Sequence, residues 1–172
     1  MDMGFGGTGV SKWWFVQVGL VVALLAGCDA QKIAQLEPGV ATEAEVRAQF
    51  GEPAAIYPEP GGDRVFEYPR QPEGQTNYMI TIGPDGRMSA LRQVLTPANF
   101  AKIQPGWDQA QVRRLLGKPA KTQSYALQQH QETWDWRYAD GQEAKLFSVA
   151  FDPDGRVTST SSQLDPRATE GK

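Results

Sequence analysis

Hydrophobic and polar residues follow a pattern that occurs twice along the chain. The first copy runs from Leu36 to Ala54 and the second from Ile103 to Ala120, and each contains Pro-Gly, Val-Arg and Gly-x-Pro in that order. A further block follows each copy, at Ile80–Met88 and at Val149–Val157, and both blocks contain Pro-Asp-Gly-Arg. The second copies lie 66 to 69 residues after the first. Blocks that recur in one order at nearly one period indicate a duplicated structural unit.

Each copy predicts a short helix with a defined start and end. The capping boxes are Thr42-x-x-Glu45 and Asp108-x-x-Gln111. Gly51 and Gly117 each precede a proline by two residues, so we expect both glycines to end their helices with a positive φ. Thr96-Pro97 predicts a further short helix up to Ile103. In the second capped helix, Val112, Leu115 and Leu116 are expected to face the core.

Antiparallel strands are expected after each helix, and strict alternation of polarity marks the strand Glu132–Tyr138. The strands predicted for the first unit are Ala54–Tyr57, Val65–Tyr68, Tyr78–Ile82 and Met88–Leu95. Those predicted for the second unit form a three-strand meander of Glu132–Tyr138, Leu146–Phe151 and Val157–Ser162. The alternation places Trp134, Trp136 and Tyr138 on one face, and Thr133, Asp135 and Arg137 on the other. We expect the aromatic face to pack on the helices, with a ligand-stacking platform as the alternative.

These elements predict an α+β fold of two tandem modules, each with short helices packed on one face of a three- to four-stranded antiparallel sheet. The predicted segments are a cleaved lipoprotein signal peptide at 1–27, a lipidated linker at 28–35, modules at 36–95 and 96–162, and a flexible tail at 163–172. A lone unit of about 60 residues buries only about 60% of its unfolded surface. We therefore expect the two modules to pack together.

An apolar run from Trp13 to Ala26 precedes the single cysteine. It is interrupted only by Gln17 and is shorter than the roughly 20 residues that a bilayer-spanning helix needs, which favours a secretory signal. Leu25-Ala26-Gly27-Cys28 resembles the lipobox of bacterial lipoproteins. We therefore expect cleavage between Gly27 and Cys28, and membrane anchoring through a diacylglycerol on the Cys28 thiol. The alternative is a buried free cysteine at the end of an anchor helix.

Composition narrows the classes of function. The formal net charge is −3, so the chain lacks the basic excess typical of nucleic-acid binding. One cysteine excludes a framework of internal disulfides. The sequence contains no Cys/His cluster typical of zinc sites and no phosphate-binding glycine loop, so no metal, cofactor or small-molecule substrate is expected.

Two features invite a catalytic or metal-binding interpretation. His130 is the only histidine, and no nucleophile elbow of the Gly-x-Ser-x-Gly type accompanies it, so we interpret it as a solvated loop side chain. Asp152-Pro-Asp-Gly155 begins like a calcium-binding loop, but it lacks the distal glutamate of an EF-hand. Because Asp85 occupies the same turn in the first unit, turn chemistry accounts for both segments. The chain is not expected to be an enzyme.

Candidate partner-binding residues cluster at the second capped helix. Trp107 precedes its N-cap, where an apolar residue usually packs onto the helix, and an exposed recognition anchor is the alternative. The basic residues are Arg113, Arg114, Lys118 and Lys121. They form either a solvated face or a patch for lipid headgroups or a protein partner. Reversing the charges of Arg113 and Arg114 together is expected to leave the fold intact.

The second unit combines Pro-Gly, Val-Arg, Leu-Gly-x-Pro, Trp-x-Trp-x-Tyr and Phe-Asp-x-x-Gly-x-Val between Ile103 and Ser162. This pattern resembles the SmpA/OmlA/BamE family, small lipoproteins of the β-barrel assembly machinery. The first unit departs from it, since Phe50 replaces the leucine before glycine and Phe66-x-Tyr68 replaces the tryptophan strand. A tandem arrangement of such units is also similar to the β-lactamase-inhibitor protein.

The resemblance implies a non-catalytic envelope lipoprotein that faces the periplasm and binds proteins, including components of the β-barrel assembly machinery. Such a protein would support outer-membrane protein assembly or envelope maintenance. The family favours the outer membrane, whereas Asp29 directly after the cysteine resembles an inner-membrane retention signal. An inhibitor that binds a soluble envelope enzyme is the second hypothesis, and a hydrolase is the third.

Overall fold

The computed structural model describes residues 23–125 and 131–169. The chain divides after Leu36 into two units. In the first, the described residues form helix α1 (Ala23–Ala34), which contains Gly27 and Cys28. Nowhere in the described ranges is there a helix with the length and hydrophobicity needed to cross a bilayer. The predicted signal peptide and its cleavage site stay predictions, and His130 lies outside the described residues.

The first module consists of one helix followed by a four-stranded sheet. Its elements are α2 (Glu43–Phe50), β1 (Ala55–Pro58), β2 (Arg64–Pro69), β3 (Asn77–Ile82) and β4 (Met88–Gln93). The strands are antiparallel in the order β1-β2-β3-β4, which we call sheet 1. The four strands predicted for this module are present, with bounds that differ by one or two residues.

The second module repeats this order after one extra helical turn. Its elements are α3 (Pro97–Phe100), α4 (Gln109–Leu116), β5 (Lys121–Tyr125), β6 (Gln131–Asp140), β7 (Glu143–Phe151), β8 (Val157–Leu164) and α5 (Pro166–Thr169). The strands are antiparallel in the order β5-β6-β7-β8, which we call sheet 2. The α+β fold in two modules, each with an antiparallel sheet, is therefore confirmed.

Sheet 2 contains one strand more than the three-strand meander predicted for it. Strand β5 has the sequence Lys-Thr-Gln-Ser-Tyr, in which four polar residues precede a single aromatic one. Its sequence shows no alternation of polar and apolar residues. The strand is held by backbone hydrogen bonds to β6 at the edge of the sheet. At the other end, β8 continues to Leu164, and Pro166–Thr169 forms a helical turn within the segment predicted as a flexible tail.

The predicted helix caps are present in both modules. The Thr42 hydroxyl accepts from Glu45 N at 3.3 Å, and Thr42 N donates to the Glu45 carboxylate at 2.7 Å. Asp108 and Gln111 make the same reciprocal pair at 2.8 and 2.9 Å. Gly51 and Gly117 follow the helices with φ of 82° and 75°, as expected. Their ψ values of −163° and −173° place both in an extended, glycine-specific region rather than the left-handed helical region.

One face of each sheet, here called the inner face, packs on the helices of its own module. On sheet 1 the Phe50 ring lies 5.3 Å from Tyr68 and 5.7 Å from Tyr78. The core around the inner face of sheet 2 contains Phe100, Val112, Leu116, Trp136, Tyr138, Phe147, Val149, Phe151 and Val157. Trp136 and Tyr138 are buried, and Trp134 is half-buried against the same core. The core interpretation of the aromatic strand is confirmed.

The hairpin turns after β3 and β7 share one local structure. Gly83 N donates to Arg87 O at 2.7 Å, and Asp152 N donates to Arg156 O at 2.9 Å. The side-chain acceptor is the third residue of the first turn, Asp85, and the first residue of the second turn, Asp152. The register of each sheet shifts at the same point, between Thr81 and Ile82 in one and between Ala150 and Phe151 in the other. The aspartates thus hold their own turns together, in agreement with the structural interpretation.

Candidate functional site

Helix α4 lies between its own sheet and the other face of sheet 1, which we call the outer face. Val112 and Leu116 point into the second-module core and are completely buried. The half-buried Leu115 packs against the same core and also borders a small space that Val65, Met79 and Val94 of the first module line. The face of α4 that its own apolar residues leave free is therefore covered by the first module.

The acid at the centre of this contact is Glu67 on β2, whose side chain is completely buried. It accepts from Tyr57 Oη at 2.5 Å, from Lys118 N at 2.8 Å, and from Arg113 Nε and Nη2 at 3.4 and 3.5 Å. Burial lowers the pKa of Arg113, but the charge of Glu67 outweighs that effect and the net pKa is raised. Burial, reinforced by Glu67, raises the pKa of Tyr57 to about 12. Tyr57 and Arg113 therefore stay protonated against a buried carboxylate.

Asn77 on β3 satisfies the carbonyl end of the same helix. Its Nδ2 donates to Leu116 O at 2.7 Å and to Lys118 O at 3.0 Å. The last carbonyls of a helix have no partner within the helix, so a buried contact must supply donors. The outer face of sheet 1 thus contacts the end of α4 through two side chains. Glu67 accepts from Arg113 and from the Lys118 N–H. Asn77 donates to the backbone carbonyls.

Arg114 and the loop between β2 and β3 add peripheral contacts between the modules. Arg114 Nη2 donates to Pro58 O at 3.1 Å and to Glu59 at 2.7 Å. Gln71 Nε2 donates to Arg137 O at 2.8 Å, and Arg167 Nη2 donates to Pro72 O at 2.7 Å. These contacts lie nearer to solvent, since the Arg114 and Arg167 side chains are each 47% exposed.

The predicted partner-binding residues therefore lie in three different places. Arg113 and Arg114 contact the first module, and Trp107 is half-buried against the second-module core. Lys118 is exposed at the same contact as Arg113, since its backbone N–H donates to Glu67, and Lys121 lies on β5 opposite Asp135. The structure does not join them into one basic patch, and their role in binding a partner stays a prediction.

The contact geometry changes the expected result of charge reversal. Arg113→Glu places a second acid beside Glu67, and we expect the free energy of unfolding to fall by about 2 kcal/mol, after discounting for a side chain that is 39% exposed. Arg114→Glu is the matched control on the same turn and should change it by less than about 1 kcal/mol. Urea denaturation of both variants measures the difference. Equal effects would contradict the assignment of Arg113 to the module contact.

The outer face of sheet 2 carries no such helix among the described residues and forms a cleft of about 750 Å³. Its floor consists mainly of small or hydroxyl side chains from β6, β7 and β8, namely Thr133, Ser148, Ala150, Ser159 and Ser161. One end is bordered by Pro72 and Glu73 of the first module and by the turn at Pro166. A volume in this range is typical of binding sites.

Asp135 lies in this cleft and is only 5% exposed. Its Oδ1 accepts from Ser148 Oγ at 2.6 Å and its Oδ2 from Gln123 Nε2 at 3.1 Å. Both donors are neutral, and no ion pair to Asp135 occurs within residues 23–125 and 131–169. Lys121 is its cross-strand neighbour and is exposed in the same cleft. Beside it, Arg137 pairs with the buried Asp165 at 2.5 Å.

Asp135 is the register equivalent of Glu67. The backbone carbonyl of Glu67 accepts from Ala54 N at 2.8 Å, and that of Asp135 accepts from Ala120 N at 2.8 Å. Each acid stands between two inner-face aromatics, in Phe66-Glu67-Tyr68 and Trp134-Asp135-Trp136. An acid between two core aromatics is the sequence signal for this site. The metal-ligating residue types Asp, Glu, His and Cys form no group of three or more in the part of the chain that the structure describes.

Comparison with known proteins identifies a related domain in the second module. Residues 93–161 match the family model of the outer membrane protein assembly factor BamE domain. No curated protein sequence matches the chain. A crystal structure characterised as the osmotically inducible lipoprotein OsmE is 22% identical, over 41% of this chain and 82% of its own, with a TM-score of 0.36. The DUF4309 family protein YjgB from Bacillus subtilis subsp. subtilis strain 168 is 19% identical, over 76% and 82%, with a TM-score of 0.29.

These two structural similarities are too weak to support a functional argument. The family match covers α3, α4 and most of sheet 2, including Gly117-x-Pro119 and the strand with Trp134 and Trp136. The motifs that carried the predicted resemblance thus fall within the matched residues. The resemblance to the BamE family is therefore confirmed, and the second module of this chain is similar to the BamE domain.

Proposed function

We propose that the protein is a membrane-anchored, non-catalytic envelope lipoprotein built from two BamE-like modules, which binds proteins and supports outer-membrane protein assembly or envelope maintenance. The observation that carries the proposal is the match of residues 93–161 to the BamE domain. The cleft on sheet 2 is the surface we assign to the partner, because the corresponding surface of sheet 1 is already used by α4.

The proposal orients the protein by its N-terminus. A lipid on Cys28 would hold the modules at the periplasmic surface of a membrane, and the predicted linker would let them reach a membrane-bound partner. The outer membrane is favoured by the family, whereas Asp29 leaves the inner membrane as the alternative.

Lipidation predicts a specific mature protein. Mass spectrometry of the protein purified from membranes should show a chain that begins at Cys28 and carries a diacylglyceryl group. Cys28→Ser should leave an unprocessed precursor without lipid, because the thiol is the site of acylation. A wild-type protein that keeps an unmodified N-terminus upstream of residue 28 would contradict the lipoprotein assignment.

Capture from the envelope tests the function itself. The full-length tagged lipoprotein is crosslinked in cells and purified from detergent-solubilised envelopes, with an unrelated tagged lipoprotein as the control. We expect specific recovery of a component of the outer-membrane protein assembly machinery, and lower levels of outer-membrane proteins when the gene is deleted. Recovery of a single soluble envelope enzyme whose activity falls on binding would favour the inhibitor hypothesis instead.

A further inference from the structure

We infer that the outer face of sheet 2 binds the last turn of a helix that carries an arginine in another envelope protein, as the outer face of sheet 1 binds α4. This inference rests on the proposed function, because it names the partner chemistry of the surface assigned there. The chain thus contains an occupied outer face and an open outer face that share a buried acid at the equivalent register position.

The acids of the two faces supply the first correspondence. Glu67 takes a guanidinium, a backbone N–H and a phenol, whereas Asp135, at the equivalent register position, takes only two neutral donors. A carboxylate offers about four lone-pair sites, so Asp135 keeps capacity for further donors. A buried acid is stabilised most by a partner that is charged and forms hydrogen bonds, which an arginine side chain provides.

Arg137 supplies a second observation, a buried donor on the same face of the strand that carries Asp135. On sheet 1, the cross-strand pair next to Glu67 is Pro69–Asn77, and Asn77 donates to the carbonyls that end α4. On sheet 2, the equivalent pair is Arg137–Leu146. Arg137 Nε is buried and has no hydrogen-bond partner, although the same side chain pairs with Asp165 through Nη2. Arg137 occupies the position of Pro69, and Leu146 that of Asn77, so this unused donor lies one strand away from the donor position of sheet 1.

The size of the cleft on sheet 2 and the small side chains of its floor are consistent with binding the end of a helix. A helix about 11 Å in diameter with a pitch of 5.4 Å occupies about 500 Å³ per turn. The cleft of about 750 Å³ is therefore comparable in size with the end of one helix. This matches the segment of α4 that contacts sheet 1, which runs from Arg113 to Lys118. The floor of Ser148, Ala150, Ser159 and Ser161 is low enough for close approach of a backbone.

Photo-crosslinking in living cells tests this inference. A benzoylphenylalanine probe replaces Ser161, which is exposed in the cleft of the full-length lipoprotein, and a second strain carries the probe at Glu52, an exposed position of the first module. We expect the Ser161 adduct to map within two turns of the C-terminus of an arginine-bearing helix in an envelope protein. Asp135→Asn, which keeps the side-chain volume, should lower the adduct yield at least tenfold.

The folding control is a circular-dichroism melt, and Arg137→Gln is the second variant if Asp135→Asn fails to fold. An adduct on a loop, a strand, a lipid or a second copy of this chain overturns the inference, as does an adduct yield unaffected by the variants. A protein adduct from Glu52 but not from Ser161 overturns it while the proposed function stands. No protein adduct from either position overturns both.

Discussion

Glu67→Ala should lower the free energy of unfolding by about 3 kcal/mol, because it removes the acid around which the two modules pack. Breaking a buried ion pair from one side typically costs about 3–5 kcal/mol. The lower end is expected here because Arg113 is 39% exposed and regains water when its partner is removed. Tyr57 and the Lys118 N–H lose their acceptor in the same change. Urea denaturation followed by circular dichroism measures the effect.

Asp135→Ala is the matched control for Glu67→Ala. It removes a buried acid from the equivalent register position, but this acid has only two neutral donors, from Ser148 and Gln123. We expect a loss of about 1–2 kcal/mol, as for ordinary hydrogen bonds. The effects on partner binding should be the reverse: Asp135→Ala should weaken binding more than Glu67→Ala does. Equal losses of stability would contradict the claim that only sheet 1 has its outer face occupied.

Gly117→Ala should lower the free energy of unfolding by about 3 kcal/mol or more through two effects that add. The backbone at φ 75° and ψ −173° is strained for any residue with a side chain, at about 1–3 kcal/mol. An alanine Cβ would also lie 3.0 Å from Asn77 Nδ2 and 3.4 Å from Met79 Cε. Asn77 would have to move away from the carbonyls of Leu116 and Lys118 that it satisfies.

Gly51→Ala separates the two effects. Gly51 has nearly the same backbone conformation, at φ 82° and ψ −163°, but an alanine Cβ there meets nothing within 4 Å. Only the strain of about 1–3 kcal/mol is expected for it. Adding Asn77→Ala should partly relieve Gly117→Ala but not Gly51→Ala, because residues in contact are not additive. Identical losses for the two glycine variants would show that the α4 end does not pack against Asn77.

Local features of the sequence were sufficient to predict most of the fold. The capping boxes at Thr42 and Asp108 use partners three residues away, and the strand with Trp134 and Trp136 shows its two faces by simple alternation. Strand β5 was not predicted, because a mainly polar edge strand shows no regular spacing of apolar residues. Its existence depends on hydrogen bonds to β6 rather than on its own side chains.

The module contact could not be predicted from the same signals. Helical periodicity shows correctly that Arg113 points away from its own core, but it does not show that the outer face of sheet 1 covers that side. The partner acid, Glu67, lies 46 residues earlier. A contact of that kind is fixed by how the two modules pack. The cleft around Asp135 likewise depends on how strands and modules pack, which short-range sequence signals do not encode.

Thiol labelling in intact envelopes tests most directly whether the outer face of sheet 2 is a protein-binding surface. Ser161→Cys and the control Glu52→Cys each place a thiol at an exposed position, one in the cleft and one on the first module. We expect a thiol-reactive maleimide to modify the Ser161→Cys protein at least tenfold more slowly in envelopes than after purification. The Glu52→Cys protein should react at similar rates in both. Equal rates for the Ser161→Cys protein in envelopes and in purified form would contradict the assignment of this face to a protein partner.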